Sequence, residues 1–132
     1  MKRILFLLAA LVIAAPTAHA VEATMETHVI TLTGYVIDNS CARTNMKNLA
    51  EVCLTYTSEC ALKAECIKSG YTFYTSEGKL TPFNKASNKK VEEFLKKPDS
   101  KTLVTIKAEV VREKLNLISI ENLSEDNKAN SK

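Results

Sequence analysis

Four cysteines are the residues in this sequence whose type and spacing could do chemistry. They fall within 26 residues of one another, at Cys41, Cys53, Cys60 and Cys66. An even number of cysteines in a small exported domain is typical of structural disulfides. If residues 58–69 form one helix, Cys60 and Cys66 lie about 9 Å apart along its axis, whereas a disulfide needs Cα atoms within roughly 7 Å. Two pairings stay open, Cys41–Cys66 with Cys53–Cys60 and Cys41–Cys60 with Cys53–Cys66. We prefer the first, because Cys53 could fold back on the first helical turn.

The same four cysteines could instead form a thiol redox site or a metal site. No C-x-x-C motif occurs, and the cysteine spacings of 12, 7 and 6 residues lack the paired knuckles that zinc sites usually show. His28 is the only histidine after residue 20, and it lies 13 residues before Cys41. We therefore predict two structural disulfides, no metal and no cofactor. Thiol redox or metal handling by these cysteines is the alternative.

Other catalytic constellations are missing from the sequence. Neither H-E-x-x-H nor G-x-S-x-G occurs, and three glycines are too few to suggest a phosphate-binding loop. Asp38, close to Ser40, is interpreted as a residue that closes a turn rather than as a catalytic acid. The sequence therefore predicts that the protein is not an enzyme.

Three aromatic residues form the candidate ligand face, namely Tyr71, Phe73 and Tyr74. They lie on a predicted strand, where small β-barrels often present aromatic side chains to sugars or bases. Strand alternation places Tyr71 and Phe73 on one face and Tyr74 on the other. Packing inside a core is the other explanation for the larger face.

The first 20 residues have the three parts of a secretory signal. Lys2 and Arg3 are followed by an apolar run of 12 residues and by small residues around His19. That run is shorter than the roughly 20 residues needed to span a bilayer. We expect cleavage after residue 20, export to the periplasm or the medium, and no membrane association afterwards.

Net charge argues against a nucleic-acid partner. The chain has 18 basic and 15 acidic residues, a formal charge of +3. Without Lys2 and Arg3 the balance is 16 against 15, or +1. The lysines around the predicted second helix alternate with Glu92 and Glu93, as on a solvated helix face.

The pattern of apolar residues predicts five strands and two helices. Strands are expected at 28–38, bent at Gly34, and then at 71–75, 79–83, 103–111 and 115–120. Residues 42–57 are expected to form an irregular loop. One helix is expected over 58–69, and a second begins near Ser87 and stops at Pro98. A polar lead-in at 21–27 and a disordered tail at 124–132 flank a single domain at 28–123.

This order of elements predicts a mainly β fold with two short helices. Five strands with a helix between the third and fourth match the oligonucleotide/oligosaccharide-binding (OB) barrel. Here a disulfide-held helical insertion would separate strands 1 and 2. The competing fold is an open antiparallel sheet with helices on one face. Pairing of the first strand with the fourth is required for the barrel.

Several short segments carry a family resemblance. Residues 33–41 contain the pattern G-Y-V-x-D-x-x-C, and 59–62, 66–71 and 77–80 supply a cysteine-containing helix and a hairpin. Together they resemble small exported bacterial OB-fold-like proteins of unassigned function. The resemblance implies a single exported OB-like domain and implies no activity.

The predicted function is that of a secreted or periplasmic, non-enzymatic binding or accessory module. We expect a disulfide-stabilised monomer whose ligand is a peptide, a protein or a glycan. Nucleic acid is not expected as a partner.

Overall fold

The computed structural model describes residues 27–124 of the 132-residue chain. The predicted signal segment, most of the lead-in and nearly all of the predicted tail lie outside these residues. The elements, in chain order, are β1 (Val29–Asp38), α1 (Asn39–Thr44), α2 (Leu49–Thr55), α3 (Ser58–Ala61), α4 (Ala64–Ser69), β2 (Tyr71–Thr75), β3 (Leu80–Pro82), α5 (Lys85–Leu95), β4 (Leu103–Val111) and β5 (Lys114–Asn122).

All five strands form one antiparallel sheet in the order β3-β2-β1-β4-β5. The central strand β1 is shared, since residues 34–38 pair with β2 and residues 29–35 pair with β4. The predicted pairing of the first strand with the fourth is therefore confirmed. Gly34 lies where the two ladders overlap, and a Cβ there would collide with the carbonyl oxygen of Tyr74. Only glycine fits this crossing point.

The sheet is open, so the predicted barrel closure is wrong. The outer strands β3 and β5 approach each other at a single parallel bridge between Phe83 and Leu115. A longer pairing is blocked because β3 is three residues long and ends at Pro82, which has no N–H to donate. The start of α5 also occupies the edge of β5, where the Asn84 N–H donates to the Leu115 carbonyl at 3.0 Å and the Leu117 N–H to Ser87 Oγ at 2.7 Å.

Two apolar clusters pack against opposite faces of β1. One contains Val36 and Phe73 of the sheet together with Val91 and Leu95 of α5. The other contains Ile37 of β1 with Leu49 and Cys53 of α2. Burial of these side chains fixes the register of β1, because a slip by one residue would exchange its two faces.

The segment between β1 and β2 is more helical than the sequence predicts. The expected loop at 42–57 contains α1 and α2, and the expected helix at 58–69 is two helices, α3 and α4. The break lies at Lys63, whose backbone is extended. The fold is therefore mixed α/β rather than mainly β with two helices. Within residues 27–124, no helix is long and apolar enough to cross a membrane.

Four of the strands form two hairpins, β2–β3 and β4–β5. Strands β2 and β3 are joined through Gly78, which has positive φ. Strands β4 and β5 are joined by Arg112 and Glu113, with φ of 50° and 63°. Left-handed backbone at both central residues is the geometry of a tight two-residue hairpin turn, here formed without the usual Gly or Asn.

Candidate functional site

All four cysteines are free thiols. This finding corrects the prediction of two disulfides, because neither Cys41–Cys66 with Cys53–Cys60 nor Cys41–Cys60 with Cys53–Cys66 is formed. The elimination of one pairing assumed a continuous helix at 58–69, but that helix is broken at Lys63. Each cysteine lies on a different short helix, one on each of α1 to α4. Hydrogen bonds around Asp38, rather than disulfides, hold this segment to the sheet.

Asp38 is the centre of that hydrogen-bond network. Its side chain is fully buried at the end of β1. Oδ2 accepts a hydrogen bond from the Tyr56 hydroxyl at 2.6 Å. Oδ1 accepts from the Cys41 backbone N–H at 2.9 Å and from Ser69 Oγ at 3.3 Å. The Asp38 carboxylate also acts on the nearby Cys66 thiol, whose pKa it helps to raise. Asp38 therefore closes the turn, as predicted, and in addition joins α1, α4 and Tyr56.

Most of the thiols are held in the protonated form. Burial, together with the nearby Asp38 charge, raises the pKa of Cys66 to about 11. Burial and the proximity of Cys41 raise the pKa of Cys53 to about 11. Burial and Asp38 also raise the pKa of Cys41. The exception is Cys60, whose pKa is lowered because hydrogen bonds from Thr57 stabilise its thiolate.

These thiols do not come together as a metal site. In the part of the chain that the structure describes, no three His, Cys, Asp or Glu side chains are grouped so that they could hold a metal ion. Over the same range, every buried polar side-chain atom has a hydrogen-bond partner. The Asp38 network is therefore satisfied internally and presents no open position to a ligand.

The predicted aromatic ligand face is mostly inside the protein. Phe73 is fully buried, and Tyr71 is buried with its hydroxyl donating to the Ala61 carbonyl at 2.8 Å. Both rings belong to the core, which was the alternative explanation for this face. Tyr74 alone remains half-buried, beside a small cavity that it shares with Met46 and Gly78.

A larger cavity, which we call the hairpin cleft, opens between the start of β1, the β2–β3 hairpin and the β4–β5 turn. Its volume is about 710 Å³. Its apolar lining consists of Ile30, Leu32, Leu80, Pro82, Val110 and Leu115. Its charged rim consists of Glu77, Lys79, Arg112, Glu113 and Lys114. None of these five rim side chains forms an ion pair with another residue that the structure describes.

The hairpin cleft exists because the sheet is open. Strand β2 ends at Thr75, opposite Gly34, so the first five residues of β1 pair with β4 on one side and with no described strand on the other. Apolar side chains that would be covered in a closed barrel are left accessible, and Val110 is 50% exposed. The sequence missed this site because alternation places Val110 on the core face of β4 and gives no sign that the core is open there.

The two candidate regions differ in what they offer to another molecule. The Asp38 network has its polar groups paired and buried, whereas the hairpin cleft exposes apolar surface beneath unpaired charges. The chain matches no protein-family model, no curated protein and no solved structure.

Proposed function

We propose that this protein is a non-catalytic binding module that takes an apolar ligand in the hairpin cleft. The observation that carries the proposal is a cleft of about 710 Å³ with six apolar lining residues. Ligand sites are usually concave and mainly apolar, with a few polar groups that orient the ligand. Exposed contiguous apolar surface on a small protein is also costly unless something covers it.

The strand order supports a binding role by analogy. The order β3-β2-β1-β4-β5 with a shared first strand corresponds to that of OB barrels, a class that binds ligands with its sheet and loops. We propose that the fold is an open relative of that class. Fold alone does not assign function, so the proposal depends on the cleft.

The buried position of Asp38 and the protonated thiols favour binding over catalysis. A catalytic group must reach its substrate, whereas the Asp38 carboxylate is fully buried and its oxygens accept hydrogen bonds from the protein itself. Thiol chemistry requires thiolates, and the raised pKa values of Cys53 and Cys66 disfavour them at these two residues. Cys60 has a lowered pKa, but it belongs to no group of three His, Cys, Asp or Glu side chains that could hold a metal ion within the described residues. We propose that binding takes place outside the cytoplasm, on the support of the signal-like residues 1–20.

The proposal is tested by titrating the purified protein with N-phenyl-1-naphthylamine, a neutral dye that fluoresces in apolar surroundings. Val110 and Ile118 are both exposed, at 50% and 48%, but only Val110 lines the cleft. We expect Val110→Lys to weaken dye binding at least tenfold, because it places an ammonium group in the apolar lining. Ile118→Lys is the matched control and should stay within twofold of the unmodified protein.

Two outcomes would contradict the binding proposal. One is that the unmodified protein gives no saturable dye fluorescence. The other is that both lysine variants lose binding equally while their circular dichroism spectra remain unchanged. The first result would show that the cleft does not take this apolar ligand, and the second that dye binding does not depend on the cleft.

A further inference from the structure

We propose that the ligand of the hairpin cleft is an extended polypeptide with acidic ends, which adds as a strand to the free edge of β1. This inference rests on the proposed function and names the class of ligand. It follows from three observations. They are the side to which the N–H and C=O groups of β1 point, the poor accessibility of the other strand edges, and the charge of the rim.

Two hydrogen bonds show to which side the backbone N–H and C=O groups of each β1 residue point. The Val36 N–H donates to the Thr102 carbonyl at 2.8 Å, on the side of β4. The Asn39 N–H, just after β1, donates to the Gly70 carbonyl at 2.9 Å, on the side of β2. Successive residues of a central antiparallel strand direct their N–H and C=O groups to alternate sides. The N–H and C=O groups of odd-numbered β1 residues therefore point to the side of β2, and those of even-numbered residues point to β4.

The first half of β1 consequently has an open edge beside Ile30 and Leu32, which line the cleft. Val29, Thr31 and Thr33 are odd-numbered, and β2 does not extend far enough to pair with them. Their N–H and C=O groups repeat every second residue, as an added strand requires. The side chains of Ile30 and Leu32 line the cleft beside this edge. A polypeptide can use both the backbone groups and the apolar lining, whereas a glycan or a small apolar molecule cannot pair with a strand in register.

The other strand edges are less suitable for an added strand. Strand β3 has three residues and ends at Pro82. The edge of β5 at residues 115 and 117 is already hydrogen-bonded to α5 and its N-cap. The Leu115 carbonyl accepts from the Asn84 N–H, the Leu117 N–H donates to Ser87 Oγ, and the Leu117 carbonyl accepts from Lys90 Nζ at 2.9 Å. A register shift beside Ala108 interrupts the β4–β5 ladder further along. Short strands, proline, covering helices and bulges all disfavour edge pairing.

The charge of the rim favours acidic ends on the polypeptide. Three of the five rim side chains are basic, Lys79, Arg112 and Lys114, against the acidic Glu77 and Glu113. None of them is neutralised by an ion pair within the described residues. Complementary charge across an interface favours one partner over its charge-reversed counterpart. The rim therefore discriminates against a lysine-ended strand.

The test uses the peptide acetyl-Glu-Val-Thr-Val-Thr-Val-Glu-amide and the purified protein. Hydrogen exchange of the Thr31 and Thr33 amides should slow at least tenfold when the peptide is saturating, because their N–H groups become donors to the added strand. The Leu32 amide, which faces β4, should change little and serves as an internal control.

Substitutions at position 31 separate backbone pairing from side-chain contact. Thr31 is exposed, and its N–H faces away from β4, so proline there removes no bond of the β1–β4 ladder. We expect Thr31→Pro to weaken peptide binding at least tenfold and to leave N-phenyl-1-naphthylamine binding within twofold. Thr31→Ala keeps the N–H and should bind the peptide within twofold of the unmodified protein.

A second peptide tests the charge preference. We expect acetyl-Lys-Val-Thr-Val-Thr-Val-Lys-amide to bind at least threefold more weakly than the glutamate peptide at low ionic strength. The difference should disappear in 1 M salt, because the Debye length is then about 3 Å. Equal affinity at low salt would overturn the acidic preference.

The remaining outcomes distinguish this inference from the proposed function. If the dye binds in the cleft but the peptide does not slow exchange at Thr31 and Thr33, strand addition is wrong and the apolar binding function stands. If neither binds, the proposed function fails as well. Equal losses in Thr31→Pro and Thr31→Ala would overturn backbone pairing. Protection of the two amides without peptide, increasing with protein concentration, would assign the edge to a second copy of the chain and overturn the proposed ligand.

Discussion

At the scale of single residues, Asp38 is a fully buried polar group that connects several elements. Its carboxylate joins the end of β1 to α1, to Tyr56 and to α4, and its burial is complete. The sequence predicts Asp38 as a turn residue from its position beside Ser40 at the end of the first strand. The contacts to Tyr56 and Ser69 are 18 and 31 residues away in sequence, and no local pattern indicates them.

Replacing Asp38 with Asn should destabilise the protein strongly. Asparagine has one acceptor oxygen, and its amide group would face donors such as the Tyr56 hydroxyl. We expect the free energy of unfolding to fall by about 2–3 kcal/mol, since buried donors are left without an acceptor. Urea unfolding followed by circular dichroism measures this change. Asp99→Asn, at an exposed aspartate, is the matched control and should cost less than about 0.5 kcal/mol. Equal effects of the two variants would refute the role assigned to Asp38.

At the scale of elements, β1 organises the fold because it belongs to two ladders. Gly34 makes this possible, since an added Cβ would meet the Tyr74 carbonyl and the ring of Phe73. The strands on both sides of β1 depend on that close approach. A larger residue at Gly34 should therefore weaken the pairing of β1 with both β2 and β4.

Gly34→Ala should cost at least about 3 kcal/mol of unfolding free energy, as overpacking against backbone does when nothing can yield. Gly78→Ala is the matched control, because Gly78 has positive φ but its Cβ would meet nothing closer than 3.8 Å. It should cost about 1 kcal/mol, from backbone strain alone. Thermal or urea unfolding checks both values. A smaller loss for Gly34→Ala than for Gly78→Ala would contradict the proposed crossing point.

The strands were predictable from sequence, and so was helical structure at 58–69, although not its division into α3 and α4. Helices α1 and α2 were not predicted. Alternating residues indicate strands in β4 and in the first half of β1, because one face of each is more buried than the other. Helices α1 and α2 lack a clear apolar period, and their packing against Ile37 stabilises them instead. The hairpin cleft could not be predicted either, because Ile30 and Val110 show the same alternation whether or not another strand covers them.

At the scale of the whole molecule, the raised pKa values of two thiols make the free energy of unfolding depend on pH in the alkaline range. The pKa of Cys53 and that of Cys66 are raised from 9.0 to about 11 in the fold. Below pH 9 these thiols are protonated in both the folded and the unfolded chain. Between pH 9 and 11 the unfolded chain releases their protons first, so the stability that they contribute is lost as the pH rises.

We therefore expect the urea midpoint to be insensitive to these two thiols below pH 9 and to fall between pH 9 and 11. Cys66→Ser should reduce the slope of that fall, because the serine hydroxyl is close in size to the thiol but does not ionise in this range. Measurements at pH 7, 8, 9, 10 and 11 on both proteins provide the comparison. Identical slopes would mean that the Cys66 thiol has an ordinary pKa in the fold.

The hydrogen bonds between α5 and the edge of β5 have a consequence for assembly. A sheet grows into a fibre only if every added strand leaves a new edge on the far side of the molecule. Here one side of β1 is open, while β3 is short and ends in proline and β5 is covered where α5 begins. Growth by repeated addition of β3 or β5 of one copy to β1 of the next is therefore disfavoured. The edge that we propose to receive a polypeptide would then take up one added strand without starting a fibre of this chain.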